Sequence, residues 1–553
     1  MNQILKLKHL LATAATATQT YAEAPVYKEK VIARKKEERL TISEWKGWQK
    51  ILFRIAFVFF VFMSLPTSSS WYSNLFSIDW TNLHYRDIYD LARFSSGFSF
   101  VGNAIFGNTL NGYANWFITL FVASVLGLVW TALDRKRKEY NTLYYWLRVI
   151  VRYRAGIGII GFGFTKLLPV QMPYPSEGLL NTDFGDFTAQ KIYWLSIGIV
   201  PWYQVFAGVV EIAAGTLLFF RKTTFLGALL LFGALGDIVY VNFAYDGGVH
   251  VYSSYFVLLA AFLMIPDLPK LYNFFIREQY TVLKNFYPSF SQRWLRLTRV
   301  GLKSATFILF LFVLFYLQYI NFRYDPYKQP SMKGVSALRG FYNVTEFRLN
   351  NKVIPYSPFD TVRWQEATFE RWSTLTYTVN KPVQLDLSNG GGAPMRDINR
   401  TFEVTGTAGG RRVFYYDADT VNNVLYLQDK NTASNRRDRR ERNNSPRDKS
   451  QTQAVKIAKE SKPFIPTSAL AIIGREDLKI DEWARSTRRT RGIEEESKEK
   501  IKRNKMVLSY STTDGSTVIL KGINENRDSI YVVLDRLEKK YTLSKSRLVA
   551  GEY

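Results

Sequence analysis

The amino-acid sequence predicts an α-helical membrane bundle of about seven spans joined to a C-terminal, extracytoplasmic β-rich domain. Three observations predict it. Residues 51–321 carry repeated apolar runs, whereas 322–553 is polar and charged, a contrast that the mean hydropathy of −0.12 conceals. Most of the runs approach the roughly 20 residues that a helix needs to cross a bilayer. Aromatic residues make up 16% of the chain (Phe 40, Tyr 34, Trp 13), which suits a protein needing amphipathic rings at both membrane interfaces.

The expected spans are roughly 48–66, 113–133, 148–169, 201–220, 223–243, 251–266 and 304–321, of which 251–266 is short. Cations mark one set of ends: Arg34 to Lys36 with Arg39 before the first span, Arg135 to Lys138 after the second, Arg221-Lys222 between the fourth and fifth, and Lys270 to Lys303 before the last. The opposite loops hold Asp79, Asp87 and Asp90, then Glu177, Asp183 and Asp186. The positive-inside rule makes the cationic side cytoplasmic, and seven spans starting there leave the C-terminal domain in the periplasm of a bacterial inner-membrane protein. Residues 1–47 read as a cytoplasmic tail rather than a signal peptide, because the Ala/Thr-rich stretch is too polar for an apolar core.

Beyond the helices, 322–430 and 506–553 show short alternating runs bounded by Gly, Asn and Asp, as in 340–349, Arg412 to Tyr416, Thr517 to Leu520 and Ser529 to Leu534. They predict a β-sandwich or small barrel. The segment 431–505 that interrupts them is charged and of low complexity, and reads as a disordered excursion with one helix near 492–503.

Composition excludes several chemistries. There is no cysteine, so no disulfide, thiolate zinc site, iron–sulfur ligation or covalently attached haem can form. The only histidines, His9, His84 and His250, make no close helical pair and give no haem or metal signature. The net charge of +26 sits at span ends and in the low-complexity segment without a recognition motif, which argues against nucleic acid as a partner.

An ionisable residue in hydrocarbon is costly and therefore a functional candidate. Four such residues are singled out within the expected spans: Arg154, Lys166, Glu211 and Asp237. Counting helix rise from the cationic ends places Lys166 and Asp237 at a similar depth, on the order of 20 Å, and Glu211 within reach of Lys166. Arg154 lies near the inner edge, where it can snorkel. One base beside two acids leaves a carboxyl to hold a proton or exchange it with a ligand; the alternative is a buried ion network that only fixes helix register. Gly158, Gly161, Gly208, Gly215, Gly233 and Gly236 around these charges suit close helix packing. Gly156 to Gly161 matches a dinucleotide-binding spacing, but no strand precedes it. His84 and His250 on the outer side could pass protons or bind a head group.

The run Arg135 to Tyr140, Arg148, Arg152-Tyr-Arg154, Gly163-Phe-Thr-Lys166, Gln171-Met-Pro173, Phe206 to Glu211 and Gly215 to Thr223, continued by Asn242 to Asp246 and Pro266 to Leu271, resembles the DoxX-like integral membrane family, in a long subgroup with a C-terminal β domain. The likeness covers about 100–280, with Asn108 where an acid is expected and His250 where a lysine is expected. Some members are similar to membrane subunits of quinone-reducing oxidoreductases. A more distant resemblance is to the membrane domain of the vitamin K-dependent gamma-carboxylase, which implies Lys166 as a base toward a hydroquinone and Glu211 as its partner. These resemblances imply Lys166, Glu211 and Asp237 at the reacting centre, with Arg154, Asn242 and His250 around the ligand, a quinone or other isoprenoid lipid. Membrane lipid and a protein in the membrane or periplasm are the expected partners. Two other readings stay open: a non-catalytic envelope component whose periplasmic domain binds a protein, and a transporter. Against the latter, no inverted repeat or broken helix pair is evident, although Pro201 begins one span.

Overall fold

A computed structural model describes residues 45–94, 97, 111–281, 286–288, 291–392, 395–431, 476–484, 503–543, 548 and 550. The tail to residue 44, Asn108 and nearly all of the helix expected at 492–503 lie outside them.

The helical region comprises α1 (Gly47–Ser64), α2 (Ser69–Phe76), α3 (Tyr85–Ala92), α4 (Asn111–Leu133), α5 (Asn141–Leu167), α6 (Glu177–Leu180), α7 (Ala189–Gly198), α8 (Pro201–Leu218), α9 (Thr224–Ala244), α10 (His250–Met264), α11 (Leu268–Phe275), α12 (Arg293–Phe307) and α13 (Leu314–Tyr324), the last two joined through a π-helical turn. Among the described residues, four helices are long and apolar enough to cross a membrane: α1, α4, α9 and the continuous Arg293–Tyr324. Two further candidates are bent pairs, α7 with α8 at 91° and α10 with α11 at 70°. The expectation of unbroken spans is thereby corrected. Pro201 lacks the N–H that would continue α7 into α8, and Pro269 acts alike at the start of α11. The expected third span lies in the 27-residue α5, whose length suffices but whose Arg148, Arg152, Arg154 and Lys166 lower its hydropathy.

Helix α5 packs along α8, and glycine sets how closely. A Cβ on Gly208 would lie 2.4 Å from Leu167 N and 2.6 Å from Gly163 O, and one on Gly215 would lie 2.9 Å from Gly156 O. Gly158 instead faces Phe256, Gly161 faces Tyr89, and Gly233 and Gly236 meet nothing within 4 Å, so these last two are no packing seam. A buried cation that hydropathy had not singled out, Arg54 of α1, ties α1 to the α4–α5 turn through Tyr140 Oη at 2.8 Å, Thr131 Oγ1 at 3.0 Å and the Asp134 carbonyl at 2.6 Å.

The C-terminal domain is a closed eight-stranded antiparallel barrel, the second of the two architectures expected. Its strands are β1 (Gly340–Leu349), β3 (Glu366–Phe369), β4 (Thr374–Thr378), β5 (Arg411–Asp419), β6 (Val424–Asp429), β7 (Lys505–Thr512), β8 (Thr517–Ile523) and β9 (Ser529–Arg536); β2 (Lys352–Val353) only extends the end of β1. Each strand pairs with the next, and β1 closes the sheet on β9 from Tyr342↔Arg536 to Leu349↔Ile530, with an irregularity between Val344 and Glu346. Alternate residues of β7 to β9 fill the interior, among them Leu508, Val518, Leu520, Val532 and Leu534, each fully buried. β4 and β5 are buried on both faces because residues 397–407 cover their outer side, where Lys430 pairs with Glu403 at 2.9 Å. Part of the charged segment, outside the one helix expected in it, also packs here: Glu476 accepts the Asp397 N–H at 2.8 Å, and Ile480 joins Met332, Ile398 and Tyr415.

The barrel docks on the helix ends that carry the acidic loops. Glu370 accepts the N–H groups of Glu177 and Gly178 at 3.1 and 2.9 Å, Arg411 donates to Gly178 O and Thr182 Oγ1, and Lys191 of α7 donates to the Phe402 carbonyl. Arg400 meets Asp325 just past α13. Burial pushes the Glu370 carboxyl up to about 7 and pulls the Arg411 guanidinium down to about 10.

Gly208→Ala should force α5 and α8 apart and destabilise the protein by about 1–3 kcal/mol, read as a lower thermal midpoint in nanodiscs, whereas Gly236→Ala should leave it unchanged. Glu370 binds its proton more tightly folded than unfolded, so its stabilisation is full below about 4.5 and is lost as pH rises through about 7. The midpoint should therefore fall between about pH 5 and about pH 8, and a thermal series on Glu370→Gln should show a flatter slope there.

Candidate functional site

The glycine seam carries α5 past α8 so that Lys166, in the last turn of α5, meets Glu211 at mid-α8. Lys166 Nζ bonds Glu211 Oε1, with 7% and 2% of the two residues exposed. The ammonium also lies where the carbonyl end of the α5 dipole favours a cation. Glu211 Oε2 is buried and makes no hydrogen bond among the described residues.

Both side chains line a cavity of about 300 Å³ between α3, α5, α7, α8, α9 and α10. Its wall includes many aromatic rings, among them Tyr89, Phe162, Tyr193, Trp194, Tyr203, Phe206, Tyr252 and Phe256. Near Glu211, the Gln204 amide accepts the Met172 N–H and donates to the Met172 carbonyl, both at 3.1 Å, which holds the chain after α5 against α8. Tyr327, Lys328 and Asn389 close the cavity from the barrel side, with Arg93 beyond α3.

The structure brings four of the six predicted residues to this cavity: Lys166, Glu211, Asp237 and Asn242. Asp237 is exposed on α9 and makes no ion pair within 4 Å among the described residues, so the wall holds one bonded pair and one separate acid. The Asn242 amide is spent on structure, donating to Ile238 O at 2.7 Å and accepting the Val249 N–H at 3.3 Å. His250 lies outside the lining, its ring against Phe243 and Tyr113 at centroid distances of 4.6 and 5.8 Å. Arg154 also lies outside, and it does not snorkel. It is buried, donates to the Ala92 carbonyl at 2.7 Å and stacks over the Phe94 ring at 4.0 Å, so inward hydrogen bonding replaces the route to the interface. His84 caps α3, its Nδ1 accepting the Arg86 N–H at 3.3 Å.

Sequence reasoning missed Arg93, Gln204 and Lys328. Only their convergence in space marks them: Lys328 follows the last helix and Arg93 ends a short one, so each reads along the chain as a loop charge.

A desolvated amine bonded to one carboxylate oxygen, with the other oxygen free, can take a proton from a ligand hydroxyl or accept its hydrogen bond. The uncharacterized protein YwoB of Bacillus subtilis is 31% identical to the chain over 87 residues, 16% of the chain and 56% of that protein. The chain thus spans about half the length of this curated relative. No family model and no solved structure matches.

Lys166→Met should cost about 3–5 kcal/mol because it strands a buried carboxylate, and adding Glu211→Leu should recover most of that loss. Unfolding midpoints of the two single variants and the double variant measure this coupling.

Proposed function

We propose that this is a DoxX-like inner-membrane protein that binds a quinone or other isoprenoid lipid between its helices and acts with a membrane oxidoreductase, its barrel in the periplasm. The observation that carries the reading is the Lys166–Glu211 pair in the wall of an aromatic cavity, with Glu211 Oε2 unpartnered. Aromatic walls suit a flat ring or an unsaturated chain. A free carboxylate oxygen suits a hydroxyl head. The pair offers a hydroquinone hydroxyl a donor on Lys166 and an acceptor on Glu211 Oε2. Orientation rests on the cationic helix ends opposite the barrel.

A second reading, a non-catalytic envelope component whose barrel binds a protein, draws on Tyr356 and Phe359, which are 69% and 84% exposed between β2 and β3.

Mass spectrometry of lipid extracted from the purified protein should find a quinone or isoprenoid near one per chain. Lys166→Met/Glu211→Leu should fold yet carry none. Wild-type protein without such a lipid would favour the second reading.

A further inference from the structure

The cavity has a second polar region, on the barrel side, that the proton-exchanging pair does not use. Lys328 is 5% exposed and lines the cavity with its Nζ donating to the Asn389 carbonyl. Its ammonium lies 4.7 Å from the Trp194 ring centroid. Arg93 lines the same cavity and lies over the rings of Tyr89, Phe162 and Tyr252 at 5.9, 5.5 and 5.7 Å. Neither cation has a carboxylate within 4 Å among the described residues, although Glu211 and Asp237 line the same cavity.

Lys328 is a buried cation, a kind of group that is ordinarily paired, and the exposed Arg93 adds like charge beside it. A wall that tolerates them is built for a negative charge brought from outside the chain. Resting on the lipid-binding reading above, we propose that Arg93 and Lys328 seat an oxyanion on the ligand, so that the cavity takes an amphiphile with a phosphate or carboxylate head and an apolar, isoprenoid-like chain. Arg93 offers a planar donor set that matches two oxygens at once, and Lys328 adds a point charge with donors left over from Asn389. The aromatic wall then receives the chain. Burial and Arg93 together pull the Lys328 ammonium down to about 7, and an anion seated between them would hold its proton in place at neutral pH.

The test is equilibrium binding of farnesyl phosphate, farnesol and inorganic phosphate to the full chain in phosphatidylcholine nanodiscs, corrected for empty discs. Farnesyl phosphate should bind at least about tenfold tighter than farnesol, the scale of a charge-assisted contact. Lys328→Gln and Arg93→Gln should each bring the affinity ratio of farnesyl phosphate to farnesol most of the way to one. Arg93 is exposed, so its variant reads out binding even where the Lys328 variant fails to fold. Equal binding of farnesol and farnesyl phosphate, or an advantage that survives Arg93→Gln, would overturn the oxyanion seat and leave the lipid cavity standing. Inorganic phosphate binding as tightly as farnesyl phosphate would overturn the amphiphile in favour of a free anion. Failure of both farnesyl probes would overturn the lipid-binding reading itself.

Discussion

A buried lysine and a buried glutamate persist best in contact, and the crossing of α5 over α8 is what holds Lys166 and Glu211 there. The crossing leaves no room for a methyl group at Gly208, because backbone atoms of Gly163 and Leu167 occupy that space. The pair lies in the cavity wall, together with side chains of α3, α7, α9 and α10. The separate position of Asp237 follows from the same geometry: Gly233 and Gly236 on its helix touch nothing, so that face of α9 stands away from the seam.

The barrel is bound to the helices by polar contacts and by small shared apolar clusters, as where Leu179 and Leu195 pack with Trp372 and Phe402. Glu370 gathers two backbone N–H groups of the loop after α5, while Arg411 bonds the same loop from the other side. Asp325 receives Arg400 where the last helix gives way to the barrel. Lys328 and Asn389 lie in the same region, so the closing edge of the cavity is made by the junction of the two domains. A ligand held there would touch both.

What could be read from the residues depended on whether the relevant partner was near in sequence or in register. Helix rise alone placed Lys166 within reach of Glu211, because both sit on helices whose ends are marked by cations. Alternation revealed β8 and β9, which have one wet face, but not β4, buried on both sides and so without a period of two. The inward turn of Arg154 depends on Ala92 and Phe94, at and just past the end of α3, which nothing in the pattern of α5 announces. Residues 476–484 were hidden by the charge of their surroundings, although Ile480 is a core residue.

The closure of β1 on β9 also constrains how the molecule can be made. During synthesis the first strand emerges long before the one that covers its edge, with the whole charged segment translated in between. Until then β1 presents unpaired amides and carbonyls, a template for a foreign strand. The short β2 pairs with the opposite edge of β1, so a growing chain that stalls inside the charged segment would display the uncovered edge to other chains.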